Sequence, residues 1–365
     1  MTSSKQDRTL KRQGHYAFIK SSKTCTKKTN LFFLKTHKTG SSTVQNILMR
    51  FGSAKNLTFV LPSKGHILGW PRPFHRSFVG GGTKNTIYNI LCHHTRFDYK
   101  NIRDLMPDDT VYITIVRNPV YMYESVFTYF RFEKQFKINS SEPFKTFLDN
   151  PSQFIKFGGK SPMRYRNPML YDLGKDAKES FSKQEQNVKA YIARLEKIFS
   201  VVMIADYFEE SLILLKHELC WDIDDVTFLK LNARRDESIR HVTNFMAKKI
   251  RKLCNMDTML FNHFNKTLWS KLLKLPFDWR KEVAVLKEKN HQLQNKCIES
   301  DSRERTQIQD GRFKVYEPAG IAMKSFQLKK GALINDTCVN MAKSEKPFTS
   351  ELRKKRKHEI FQRSI

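Results

Sequence analysis

Five short apolar runs constrain the fold of this sequence more than any other feature, because their apolar residues are continuous rather than alternating. Strands that are buried on both faces have this pattern, which is typical of a parallel sheet in an α/β protein. The runs lie at residues 30–34, 86–92, 111–116, 199–204 and 226–231. Segments with helical spacing separate them, at residues 44–51, 123–136, 184–198 and 206–220. This alternation predicts right-handed crossovers and a ligand site at the carboxyl ends of the strands.

The 365 residues contain no internal repeat and no clear boundary, so we predict one domain with two basic end segments. The predicted domain covers residues 29–342 and includes additional C-terminal helices at 242–297, interrupted at Pro276. Residues 1–28 and 343–365 lack apolar periodicity, and we expect both to be disordered and outside the packed core. The tail carries the run RKKRK, for which a polyanion-binding patch is the alternative to a solvated segment.

The charge of the chain favours an anionic partner, since 66 Lys and Arg against 36 Asp and Glu give a net charge of +30. A phosphorylated cofactor, a sulfated glycan, nucleic acid and an anionic membrane surface all fit this sign. A basic nucleic-acid-binding protein is the non-enzymatic alternative. The excess charge lies largely at the chain ends, and the predicted fold contains no base-stacking motif, so we expect no nucleic-acid partner.

The six cysteines and four glycosylation sequons bear on metal binding and on the compartment. No C-x-x-C pair occurs, so we expect neither a zinc nor a thioredoxin-type site. The N-x-[ST] sequons at Asn56, Asn139, Asn265 and Asn335 favour a secretory-pathway lumen. No apolar stretch of 18 or more residues and no apolar signal core accompanies them, so the indicators of the compartment conflict.

The residues after the first apolar run, FLKTHKTGSST at 33–43, form a loop that is suited to anion binding. The helix that follows offers free backbone N–H groups, Gly40 lets a ligand approach the backbone, and Lys35 and Lys38 add positive charge. In a nucleotide-binding P-loop the Lys follows the Gly, whereas here both Lys residues precede it. The loop therefore predicts a phosphate site other than that of a P-loop kinase. An exposed helix cap that contains lysines is the alternative.

Arg117 and Ser125 form a second candidate anion site. Arg117 follows the apolar run at 111–116, Pro119 suits the first turn of a helix, and Ser125 lies about two turns further on. A guanidinium group can bind a phosphate through two hydrogen bonds. Because the carboxyl ends of parallel strands meet at one edge, the two sites predict a ligand with two phosphate ends.

Through six sequence stretches, which are given at the end of this paragraph in their order along the chain, the sequence resembles the sulfotransferases that use 3′-phosphoadenosine-5′-phosphosulfate (PAPS). More narrowly, the chain resembles the galactose-3-O-sulfotransferases, above all the galactosylceramide (cerebroside) sulfotransferases, from about residue 30 to 340. The resemblance implies a P-loop-like parallel sheet flanked by helices. It also implies in-line transfer of a sulfuryl group from PAPS to the 3-hydroxyl of galactose on a galactosylceramide-like glycolipid or a glycan, without a metal. The stretches are FLKTHKTGSSTVQNILMRFG, YNILCHHTRF, ITIVRNPVYMYESVFTYF, NPMLYDLG, YFEESLILLKHELCW and FLKLNARRD.

The resemblance assigns the 5′-phosphosulfate to the loop and the 3′-phosphate to Arg117 and Ser125. Lys38 would stabilise charge on the phosphosulfate bridge, and Lys35 would support the non-bridging oxygens. Arg234 is a further candidate contact, with a plain surface position as the alternative. The predicted cofactor-binding set is Lys35, Thr36, His37, Lys38, Thr39, Gly40, Ser41, Ser42, Thr43, Arg117, Ser125 and Arg234.

A hydroxyl nucleophile also needs a base, and histidine is the usual one near neutral pH. The candidates are His94, which ends the run between the two phosphate motifs, and His37 in the loop. We favour His94, for which a structural hydrogen bond at a strand end is the alternative.

The acceptor side and the location of the protein are also implied by the resemblance. NPMLYDLG at residues 167–174 would belong to the acceptor side, and Phe130 and Phe132 are candidate lining residues unless they pack in the core. The family implies the lumenal side of the Golgi membrane and contact with a membrane surface, although no N-terminal anchor helix is visible in this sequence.

Overall fold

A computed structural model describes residues 25–83, 85–156, 162–175, 181–303, 305–317 and 321–362. Its strands are β1 Leu31–Leu34, β2 Leu61–Pro62, β3 Val79–Gly80, β4 Ile90–Leu91, β5 Val111–Val116, β6 Val201–Ile204, β7 Ile298–Arg303 and β8 Ser325–Leu328. Its helices are α1 Ser41–Ala54, α2 Tyr99–Arg103, α3 Pro119–Tyr129, α4 Phe132–Gln135, α5 Pro143–Asp149, α6 Pro151–Ile155, α7 Pro162–Arg166, α8 Pro168–Asp172, α9 Phe181–Ile198, α10 Phe208–Leu219, α11 Asn244–Leu253, α12 Asn255–Leu272, α13 Trp279–Cys297, α14 Asp336–Ala342 and α15 Glu345–Gln362.

The central sheet has four parallel strands in the order β4-β1-β5-β6. Leu31 pairs with Ile90 on one side and with Val111 on the other, so β1 lies between β4 and β5. All four residues of β1 are fully buried, which explains why its sequence is continuously apolar. Helices α10 and α12 pack against β6 at one edge of the sheet. The predicted α/β class with a parallel sheet flanked by helices is confirmed.

The helix predicted at residues 123–136 is two helices, α3 and α4. The chain breaks between them at Arg131, whose φ of 53° lies in the left-handed region. The break lies between two aromatic residues that differ in burial. Phe132 is buried in the core, whereas Phe130 is half-buried at the end of α3.

The strand predicted at residues 226–231 is not a strand, and that prediction is wrong. Its backbone groups bond to side chains of two helices instead of a neighbouring strand. The N–H of Phe228 donates to Asn290 Oδ1 at 2.8 Å, and the N–H of Leu231 donates to Thr43 Oγ1 at 3.1 Å. Because α1 and α13 supply these acceptors, the segment buries its apolar residues without joining the sheet.

Two disulfides join distant parts of the chain, Cys25–Cys220 and Cys297–Cys338. The second joins the end of α13 to α14, beside the antiparallel pair β7–β8. Most of the N-terminal segment predicted to be disordered lies outside the described residues. Its last part is ordered, because the Cys25 disulfide and a hydrogen bond from Lys28 N–H to the Leu219 carbonyl at 2.9 Å attach it to α10.

The C-terminal tail predicted to be disordered is helix α15, so that prediction is wrong. Phe348 and Leu352 are buried against the main core. Arg353 donates to the carbonyl oxygen of Gly65 at 2.7 Å, and the buried Arg356 donates to the carbonyl oxygens of Phe59 and Gly81. Much of the basic run thus bonds within the protein. No described helix has the length and apolar character that crossing a membrane requires.

Replacement of Arg356 by alanine tests the docking of α15. We expect Arg356→Ala to lower the free energy of unfolding by about 2 kcal/mol, because buried carbonyl groups lose a charged donor. Lys357→Ala is the matched control, and its exposed side chain predicts a change within about 0.5 kcal/mol. Chemical denaturation followed by tryptophan fluorescence measures both, and equal effects of the two variants would show that the helix is not docked.

Candidate active site

Three segments that leave the central sheet at the same edge build the candidate site. The strands β4, β1 and β5 are parallel neighbours, so the residues that follow them converge. His94 Nδ1 donates to the carbonyl oxygen of Lys35 at 2.9 Å. From the other side, Arg117 Nη1 donates to the carbonyl oxygen of Lys38 at 3.1 Å. The loop after β1 is therefore held by residues from both neighbouring strands.

Most hydroxyl groups of this loop form hydrogen bonds within the protein. Thr36 and Thr39 are buried, and their hydroxyl groups lie 2.7 Å apart. The buried Ser41 hydroxyl donates to the carbonyl oxygen of Thr36 at 2.6 Å, and Thr43 accepts from the segment after α10. Ser42 is the half-buried member of the predicted donors. The loop therefore offers a ligand fewer side-chain hydroxyls than its sequence indicates.

The N-terminus of α1 is open to an anion. Gly40 is exposed, has a φ of 78° and precedes the helix without any side-chain cap. The first N–H groups of this 14-residue helix thus have no capping side chain. An uncapped helix start of this kind is suited to an anion, and the phosphate site that the sequence indicates stays a prediction.

Lys38 lies at the centre of the positive charge of the site. Its Nζ stands 3.8 Å from the centroid of the Tyr129 ring. Burial, followed by the nearby charges of Arg234, Arg117 and Lys35, lowers the pKa of Lys38 to about 7. Burial also lowers the pKa of Arg117. A bound anion would relieve the repulsion among these groups.

The Lys35 ammonium group is compensated within the protein. Its side chain is 1% exposed, with Nζ 2.6 Å from Glu345 Oε2 and 2.7 Å from Gln45 Oε1. Glu345 is the first residue of α15, 310 positions away. The structure therefore places this lysine in an internal ion pair, whereas Lys38 forms no ion pair with a described residue.

The two candidate bases lie face to face, with ring centroids 4.2 Å apart and planes at 15°. His37 Nδ1 is 2.8 Å from Asp172 Oδ2, and the backbone N–H of His37 donates to the same oxygen. The carboxylate fixes the proton on Nδ1 and leaves Nε2 of His37 as the acceptor. Burial and the adjacent His37 hold the pKa of His94 well below its usual range. Of the two rings, His37 has the carboxylate that can stabilise a positive charge.

Aromatic residues surround His37 on the other side. Its ring lies 4.5 Å from Trp70 and 5.7 Å from Phe130. Trp70 Nε1 donates to Asp172 Oδ1 at 2.9 Å, so one buried carboxylate holds both the His37 ring and the indole. The Arg164 guanidinium stands 4.6 Å from the Trp70 ring. Phe130 thus contacts the site, and Phe132 does not belong to it.

Arg234 reaches the site from the segment that was predicted to follow a strand. It pairs with Glu124 through two hydrogen bonds, and both side chains are nearly fully buried. The alternative of a plain surface position is therefore wrong for Arg234. Ser125 is the next residue of α3 and is 3% exposed.

Sequence reasoning missed Asp172 and Glu345. Asp172 stands within the NPMLYDLG stretch, where an acidic residue in a short Pro-started helix was the available signal. Glu345 had no local signal, because its partner lies at the opposite end of the chain.

Comparison with known proteins identifies the family. A family model described as galactose-3-O-sulfotransferase matches residues 9–356. The chain belongs to the galactose-3-O-sulfotransferase family. It is 33% identical to galactosylceramide sulfotransferase of Homo sapiens over 311 residues, which is 84% of this chain and 73% of that protein. It is 36% identical to galactose-3-O-sulfotransferase 2 of Sus scrofa, with 89% and 83% covered, and 34% identical to galactose-3-O-sulfotransferase 3 of Mus musculus, with 89% and 77% covered.

The lowered pKa of Lys38 predicts a pH dependence if adenosine 3′,5′-bisphosphate (PAP) binds at this site. Lys38 is charged below its pKa of about 7 and neutral above it. We expect the affinity for PAP to fall about tenfold between about pH 6 and about pH 8. Lys38→Arg remains charged and experiences the same titration of the ligand, so calorimetry should give a flatter pH dependence. Equal slopes for the two proteins would contradict the role of Lys38.

Proposed function

We propose that this protein transfers the sulfuryl group of PAPS to the 3-hydroxyl of a galactose residue on a glycolipid or glycan. The observation that carries the proposal is a pair of cationic anion sites at one sheet edge, next to a histidine held by a buried carboxylate. Membership of the galactose-3-O-sulfotransferase family supports the reaction class.

The donor would occupy both anion sites. We infer that the N–H groups of α1 and the Lys38 ammonium hold the 5′-phosphosulfate. Arg117 and Ser125 would hold the 3′-phosphate, and the Glu124–Arg234 pair would shape the wall beside them. The uncapped helix start and the two uncompensated cations fit a ligand with two anionic ends.

The chemistry would be an in-line displacement at sulfur. The galactose 3-oxygen attacks the sulfur while the bond from sulfur to the bridging phosphate oxygen breaks. Lys38 and the N–H groups of α1 stabilise the charge that develops on the leaving phosphate. We propose that His37 Nε2 takes the hydroxyl proton and that Asp172 stabilises the resulting imidazolium. The cationic side chains supply the charge stabilisation that a metal would otherwise give.

This assignment changes the preference that the sequence indicated, which was for His94. Burial and the neighbouring His37 both hold His94 in the neutral form. Its Nδ1–H supports the Lys35 carbonyl, so its proposed role is to orient the loop and to pack beneath His37. His37, unlike His94, has a carboxylate partner for a positive charge.

The acceptor galactose would lie against the aromatic residues beside His37. Trp70 and Phe130 present nearly parallel rings, at 12° to each other. Sugar rings have an apolar face that packs against aromatic side chains, and the polar Arg164 can bond hydroxyl groups at the same place. The named relatives act on galactosylceramide or galactose, and their similar identities do not separate the acceptors.

The Golgi lumen is the proposed location, and contact with a membrane surface follows from a glycolipid acceptor. The two disulfides support an oxidising compartment. The sequons at Asn56 and Asn139 are exposed, as a glycosylated lumenal protein would require.

Transfer of labelled sulfate from PAPS to a panel of galactosides tests the proposal. The panel contains galactosylceramide, lactosylceramide and glycans that end in β-galactose, each beside its 3-deoxygalactose analogue. We expect labelled product with at least one galactoside and none with its 3-deoxy analogue. Failure of every galactoside to accept label would refute the proposed function.

Replacement of the two histidines separates the candidate bases. We expect His37→Ala to lower kcat by about 10²- to 10⁴-fold, the usual contribution of a general base, with little change in the KM for PAPS. His94→Ala should lower kcat less, and the exposed His75→Ala serves as the control. A larger loss in His94→Ala than in His37→Ala would return the base assignment to His94.

A further inference from the structure

The first residue of the C-terminal helix contacts the phosphate loop. Glu345 Oε2 is 2.6 Å from the Lys35 ammonium, and its other oxygen accepts from Gln45 Nε2 at 3.0 Å. Lys35 Nζ also donates to Gln45 Oε1 at 2.7 Å. The three side chains close a triangle in which each member bonds to the other two.

The triangle fixes both ends of the phosphate loop. Lys35 is the first residue after β1, and Gln45 lies on α1 just beyond the uncapped N–H groups. Glu345 therefore ties the start of the loop to the helix that binds the anion. The carbonyl oxygen of Lys35 also accepts from His94, whose ring lies against His37. A shift of Lys35 would therefore also displace the phosphate loop and the two histidine rings.

The charge of Glu345 is needed for this arrangement. Burial opposes its ionisation, yet Lys35 and then His93 hold the pKa of Glu345 below its usual value. A buried ammonium group that loses its carboxylate partner is strongly disfavoured. Loss of the Glu345 charge would therefore displace the Lys35 side chain from its position.

Helix α15 is itself fixed, so Glu345 is a firm anchor. One turn further along, Thr349 Oγ1 lies 3.0 Å from Nε2 of the buried His93, which follows β4. Arg353 and Arg356 bond the carbonyl groups of Gly65 and Gly81. Trp70 lies in the segment between these two glycines. The helix therefore connects the phosphate loop, the end of β4 and the segment that lines the acceptor side.

We propose that Glu345 is a positioning residue of the sulfuryl-transfer reaction, and that it holds the phosphate loop in its binding conformation through Lys35 and Gln45. Through Glu345, the C-terminal helix α15 would then help to position the residues of the active site. The inference rests on the proposed function in taking PAPS as the donor.

Glu345→Gln, which keeps the size of the side chain and removes its charge, is the decisive variant. We expect the affinity for PAP, measured by calorimetry without acceptor, and kcat/KM for PAPS each to fall by up to about a hundredfold. The KM for the galactoside should stay within about twofold of that of the wild type. Glu345→Asp keeps the charge and should retain an intermediate affinity. Glu359→Gln, an exposed position on the same helix, is the matched control and should behave as the wild type.

The folded fraction of each variant is measured by thermal unfolding, and all constants are expressed per folded protein. Reduced PAP affinity in folded Glu345→Gln, with partial rescue in Glu345→Asp, supports the inference. If Glu345→Gln binds PAP and turns over as the wild type does once corrected for folding, Glu345 serves stability alone and the inference is overturned. If the wild type itself fails to bind PAP, the proposed function is overturned and the inference falls with it.

Discussion

The parallel pairing of β1 with both β4 and β5 is the constraint on which the rest of the site depends. Because three neighbouring parallel strands end at one edge of the sheet, the residues that follow them lie close together. His94 and Arg117 then hold the loop between them through two backbone carbonyl groups, those of Lys35 and Lys38. A shift of β1 by one residue would reverse the faces of its side chains and remove both contacts.

Three carboxylates, those of the buried Glu124 and Asp172 and of the half-buried Glu345, then decide which basic groups remain available. Glu345 neutralises Lys35, Glu124 neutralises Arg234, and Asp172 holds His37. Lys38 and Arg117 form no ion pair with a described residue, and we propose that these two groups bind the ligand. The net charge of the chain therefore says less about ligand binding than the pattern of ion pairs within the site does. Within the candidate site, Lys35, Arg234 and His37 each have a carboxylate partner.

The sequence predicted the parts of this account that depend on local patterns. Continuous apolar runs predicted the central strands, and the helix predicted after the Gly-containing loop is α1. The anion site at its start stays a prediction. The strand predicted at residues 226–231 is absent because the backbone N–H groups of this run find hydrogen-bond acceptors on helix side chains. The prediction of a disordered C-terminal tail was wrong because a basic residue of the tail, Arg353, bonds to carbonyl groups about 290 positions away. The contacts of Asp172 and Glu345 form only in the tertiary structure. The short Pro-started helix was a weak local signal for Asp172, and Glu345 had none.

The central claim is that the loop after β1 and the start of α3 bind the two phosphate ends of one ligand, with His37 facing the acceptor. A crystal structure with PAP and a β-galactoside bound tests this most directly. The account predicts the 5′-phosphate at Lys38 and the N–H groups of α1, the 3′-phosphate at Arg117, and the galactose 3-hydroxyl within hydrogen-bond distance of His37 Nε2. A 5′-phosphate bound by Lys35 after displacement of Glu345, or a 3-hydroxyl bonded to His94 instead, would contradict it.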